Sequence, residues 1–132
     1  MNKLADLKVY HKALSYTKLV RKTTKDFPRE ELFALTAQFK RAADSIVLNI
    51  AEGAGDYSTR EFLRFLDYSV RSGFECIGCA DIALENCFVN AGSHQELISG
   101  VNEIIAMLDG LRKSIINPRL SEKFRGRDIS TT

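Results

Sequence analysis

The side chains that most often carry chemistry are scarce in these 132 residues, which include only three cysteines and two histidines. Cys76 and Cys79 form one C-x-x-C, "CIGC", within a long helical pattern. A zinc site needs about two further ligands, and only His11, His94 and Cys87 remain, each in another context. A redox pair belongs at a helix start in an α/β chain, which this is not. Both thiols therefore read as small buried hydrophobes, with no metal and no disulfide expected in a reducing compartment. No apolar run approaches the ~18 residues of a membrane span. The polar start "MNKLADLKVYHK" lacks the apolar core of a signal peptide. The expectation is a cytoplasmic protein with no membrane contact. No segment alternates with period two, so no strand is expected. "GAG" at 53–55 lacks the lysine and strand context of a phosphate loop, and no nucleophile–base pair or metal cluster stands out. The chain reads as a non-enzyme without a cofactor.

What remains is helix. The length suits one domain, and 45% hydrophobic with 27% charged residues is an ordinary globular balance. Val9, Ala13, Tyr16 and Val20 mark the buried face of a first helix from Leu7 to about Lys25, with Asp6 as its expected N-cap. "DFPRE" ends the first helix, because Phe27 precedes a proline, and Pro28 suits the opening of a second helix, with Glu30 and Glu31 on its N-terminal dipole. This helix should run to about Glu52 and stop at the glycines of "GAGDY". "STRE" at 58–61 and "SHQE" at 93–96 read as capping boxes opening helices three and four. Helix three should reach about Phe88. Leu97, Val101, Ile104, Leu108, Leu111 and Ile115 line helix four until Asn117-Pro118 stops it. The fold class is all-α: an antiparallel up-down-up-down four-helix bundle over 1–116. Residues 117–132 read as a disordered basic tail.

The second helix carries an ordered polar stripe in "QFKRAADSIVLNIAEG". On a helical wheel Gln38, Arg41, Ser45, Asn49 and Glu52 fall within about 80° of arc, beside the apolar face of Leu35, Phe39, Ala42, Ile46 and Ile50. An anion site using Arg41, Asn49 and Glu52 is conceivable chemistry. The plainer reading is a seam between helices, where Arg41 meets a carboxylate such as Glu52 or Glu75 and the others fix register. Helix three has a stripe of small residues, Ser69, Gly73, Cys76, Ala80, Ala83 and Cys87. It suits close packing inside the bundle or against another subunit.

Charge is uneven. Residues 1–27 hold seven Lys/Arg against two Asp, giving +5, whereas 53–89 hold three against six acids, giving −3. Lys18, Arg21, Lys22 and Lys25 project away from the apolar face of helix one and are the candidate phosphate contacts. The bland reading is a solvated lysine face. The tail adds Arg119, Lys123, Arg125 and Arg127.

Three blocks carry a resemblance: "DLKVYHKAL", "FPREELFALTAQFKRAADSIVLNIAEG" and "STREFLRFL". Over residues 7 to about 116 the chain resembles a bacterial family of four-helix-bundle proteins, first found encoded in intervening sequences of 23S ribosomal RNA genes. Gln38, Arg41, Ser45, Asn49 and Glu52 belong to that family's motif. Tyr10 stands where the family has tryptophan, Lys40 replaces an arginine, and Val47 stands where many members have proline. The resemblance implies a homopentamer and nucleic-acid (RNA or DNA) binding. A related family implies an alternative: an accessory protein of a diversity-generating retroelement that binds reverse transcriptase and RNA. A protein-only assembly scaffold is the third reading.

Overall fold

The computed structural model describes residues 4–55 and 58–118. It contains α1 (Lys8–Thr24), α2 (Leu35–Ala54), α3 (Thr59–Glu85) and α4 (Ala91–Ile116), plus one 3-10 turn, Arg29–Glu31. Each helix buries one stripe: Val9, Ala13, Tyr16 and Val20 on α1; Phe39, Ala43, Ile46 and Ile50 on α2. Leu66, Cys76 and Ala80 on α3 meet Leu97, Val101, Ile104 and Leu108 on α4 in the same core. The expected tail beyond Pro118 lies outside the described residues.

Cross-helix pairs establish the topology. Along the α2–α3 seam Gln38 meets Glu75, Ser45 meets Ser72, Ile46 meets Ser69, and Gly53 meets Phe62 and Phe65. The numbers rise on one helix as they fall on the other, so the pair is antiparallel. The same crossing of numbers joins α3 to α4, through Gly73 with Ile105 and Asp67 with Arg112. It joins α4 back to α1, through Tyr16 with Leu97 and Lys12 with Glu103. Every helix touches its sequence neighbours, and the first touches the last. This is the up-down-up-down bundle that four amphipathic helices with short connections demand. Phe27 and Phe88, with ring centroids 5.7 Å apart, pack on each other at one end.

Several boundaries depart from the sequence reading. Leu7, in extended conformation, takes the N-cap of α1 in place of Asp6. Pro28 opens the 3-10 turn and not α2, whose first residue is Leu35. Leu32 and Phe33 face solvent, so the buried stripe that sustains α2 begins only at Leu35. Glu31 reaches forward, its Oε1 accepting from the Leu35 amide at 3.4 Å. Ser58 caps α3 as expected, its Oγ accepting from the Glu61 amide. The second capping box is not where α4 starts: Asn90 is the N-cap, and its Oδ1 accepts from the Ser93 amide at 2.7 Å. An Asn accepts this bond as well as a serine does, and starting there lengthens the helix by most of a turn.

α3 ends at Glu85, short of Phe88. The Phe88 amide returns to the Ala83 carbonyl (2.8 Å) and the Cys87 amide to Leu84 (3.0 Å). That is the Schellman arrangement, which places one residue in the left-handed region. Here it is Cys87, with φ 63°. At the end of α2 no glycine uses left-handed freedom: Gly55 caps it with φ −81°. Gly53 is needed for closeness, since a Cβ there would lie 2.8 Å from the Phe65 Cβ and 2.9 Å from Phe62 Cδ1.

Candidate functional site

The four basic residues picked out on the first helix divide into two environments. Lys18, Lys22 and Lys25 are exposed and make no ion pair among the described residues. Arg21 differs. Its position on the helix turns it toward α2, where Nη1 and Nη2 each donate to a carboxylate oxygen of Asp44 at 2.8 Å. This paired geometry raises the guanidinium pKa above its ordinary value, chiefly through the hydrogen bonds to Asp44. Arg21 is thereby committed to joining α1 to α2, and its charge is neutralised. Lys12 is likewise paired, with Glu103 of α4 at 3.2 Å.

The polar stripe of α2 divides in two. Its upper part is one connected set on the α2–α3 seam. Asn49 donates from Nδ2 to the Ser45 carbonyl (2.8 Å) and hydroxyl (3.0 Å), and Ser72 Oγ–H reaches Ser45 Oγ at 2.9 Å. Ser69 donates to the Ile46 carbonyl at 3.0 Å. The lower part lies at the surface: Gln38 donates to Glu75 of α3, and Arg41 Nη2 donates to Gln38 Oε1 at 3.0 Å. Arg41 therefore reaches Glu75 only through Gln38. Because Arg41 is exposed, it is no member of a buried ion pair, and removing it strands no buried charge. Glu52 is exposed, about three helical turns from Arg41, and bonds to no described side chain. The conceivable anion site of Arg41, Asn49 and Glu52 does not assemble.

The small-residue stripe of α3 serves the bundle. Ser69, Gly73, Cys76, Ala80 and Ala83 are all buried within the chain, and a Cβ on Gly73 would meet Ile105 at 2.9 Å. Cys87 is exposed and outside the helix. Burial pushes the Cys79 thiol up to about 11 and the Cys76 thiol higher still. Among the described residues no three His, Cys, Asp or Glu side chains converge on one point, and no helix is long and apolar enough to cross a membrane.

Sequence periodicity missed the groove between α1 and α2. A cleft of about 430 Å³ lies among Lys25, Phe27, Arg29 and Lys40, and a neighbouring one of about 680 Å³ among Phe33, Arg41 and Leu48. Arg21, Leu32 and Lys40 border both. Arg29, Lys40 and Arg41 come from the interhelical turn and α2, so charge counting on α1 alone does not find them.

Residues 5–110 match the family described as 23S rRNA-intervening sequence protein. Among solved structures the chain is similar to a protein of unknown function from the S23 ribosomal protein family of Bacteroides thetaiotaomicron. That match has a TM-score of 0.73 at 19% identity and covers 80% of this chain and 95% of that one. At such identity the likeness concerns the fold. No curated protein matches the chain.

Proposed function

This chain belongs to the 23S rRNA-intervening sequence protein family, and from that premise we propose that it is a non-enzymatic, self-assembling bundle that binds RNA or DNA through basic surfaces. The observation that carries the reading is the row of Lys18, Lys22 and Lys25, exposed on one side of α1 and without ion pairs among the described residues. Lysines left free while Arg21 and Lys12 are paired hold counterions, and phosphates displace those counterions with a gain in entropy. The non-enzymatic part rests on what the polar side chains and thiols of α2 and α3 do. Ser45, Asn49, Ser69 and Ser72 spend their hydrogen bonds on the α2–α3 seam, and burial keeps the Cys76 and Cys79 thiols protonated.

The test is binding to a DNA duplex by fluorescence anisotropy at about 50 and 200 mM salt. Three phosphate contacts give a salt slope near −2.7, so affinity should fall about forty-fold across that range. The variant Lys18→Gln/Lys22→Gln/Lys25→Gln should bind more weakly with a shallower slope. Arg21 stays, because it holds Asp44. If this variant binds as tightly as the parent at low salt, the lysine row is only solvated and the contacts lie elsewhere; if the parent itself does not bind, the protein-only scaffold takes this reading's place.

A further inference from the structure

Phe33 is 93% exposed, the extreme among the large hydrophobic side chains of the described residues. It stands at the border of a groove whose lining includes five cationic side chains, Arg21, Lys25, Arg29, Lys40 and Arg41, against a single carboxylate. The one carboxylate lining it, Asp44, is taken by Arg21 in two hydrogen bonds of 2.8 Å. Lys25, Arg29 and Lys40 form no ion pair among the described residues, and Arg41 spends one nitrogen on Gln38. Three exposed cations, Lys25, Arg29 and Arg41, and the half-buried Lys40 thus lie beside an unburied ring and the exposed side chains of Leu32 and Leu48.

We propose that this groove binds a single-stranded polynucleotide, with backbone phosphates on Lys25, Arg29, Lys40 and Arg41 and a base stacked on Phe33. The proposal rests on the nucleic-acid reading above and gives it a strand type and a site. A basic track with an exposed aromatic ring is how single strands are held without sequence preference, since every base has a π-face. A duplex keeps its bases stacked within the helix and offers nothing to Phe33. The residues between Phe33 and Leu48 extend over about 20 Å, room for several phosphates. A second copy of the chain fits the charge less well. Among the carboxylates of its acidic helix α3, Glu61 is paired with Arg64, Asp67 with Arg112 and Asp81 with His94, while Glu75 bonds the neutral Gln38 and keeps its charge. Few remain to answer four cations.

The experiment compares a single-stranded RNA of about 12 nucleotides, a length within common single-strand site sizes, with the duplex of the same sequence. Phe33→Ala should weaken single-strand binding about tenfold, as loss of one stacked base does, and leave duplex binding unchanged. Arg29→Gln/Lys40→Gln should reduce the single-strand salt slope by about 1.4, two contacts at roughly 0.7 each. Both variants should keep the parent's helicity and its mass by light scattering. Equal single-strand affinity of Phe33→Ala and parent would overturn this site while leaving the nucleic-acid reading intact. A fall in assembled mass for Phe33→Ala would also overturn it, assigning the face to a second copy. A parent that binds neither strand form at low salt would remove both readings.

Discussion

Cys76 and Cys79 are one turn apart on α3, and both are buried in the core, whereas Cys87 is exposed beyond the helix end. An anion is poorly solvated in such a core, so burial raises both thiols, Cys79 from 9.0 to about 11. A chromogenic disulfide reagent should label one thiol per chain quickly, Cys87, and the other two only on unfolding. Fast labelling of all three would mean the core opens. The same shift has a sign in stability. Below about pH 9 the thiols are protonated in both states and their contribution to stability is complete. As pH rises from 9 toward 11 the unfolded chain ionises first, so that contribution is lost. The melting temperature should therefore fall over that window, and fall less steeply in Cys79→Ala. The legible part in the sequence was the buried thiol pair. Cys87 shared its spacing and was not legible, because the Schellman turn that carries it out of the helix depends on returning bonds to Ala83 and Leu84.

Helix ends are where local signals and the bundle compete. Both "SHQE" and Asn90 offer an acceptor for an N-terminal amide, and α4 uses the earlier one. Asn90→Ala should lower stability by about 1 kcal/mol, while Ser93→Ala should change it little, read as midpoint shifts in urea. The reverse order would restore the later start. At the other end of the same connection, Cys87→Gly should raise stability by up to ~1 kcal/mol, because glycine adopts the left-handed conformation without a Cβ penalty. Gly53 teaches the opposite lesson. Its glycine is explained by the side chains of Phe62 and Phe65 pressing on it, contacts between residues on different helices that a turn rule cannot foresee.

For the molecule as a whole, the expected reason for assembly has moved. The small-residue stripe of α3 is consumed inside the bundle, yet α3 still exposes Phe74 (59%) and Ile82 (51%). Gly78 lies between them in sequence, with open space where a Cβ would stand. Apolar side chains left in water on one helix face are what a subunit contact removes. Light scattering should give several times 14.8 kDa, and Phe74→Glu should shift the protein toward the monomer with its helicity kept. A parent that is monomeric at micromolar concentration would sink the expectation.

Helix count, the apolar stripes and the break at Pro28 follow from the sequence alone, because periodicity, caps and proline act within a few residues. The polar stripe of α2 was legible as a stripe for the same reason. Which of its members would be half-buried was not. Ser45 and Asn49 fall behind α3 while Arg41 and Glu52 stay at the surface, and that outcome depends on where α3 crosses. Tertiary structure likewise decided that Arg21 belongs to Asp44 and that Arg29, Lys40 and Arg41 share a groove with Lys25 and Phe33. Charges distant in sequence acquire a common field only when packing brings their helices side by side.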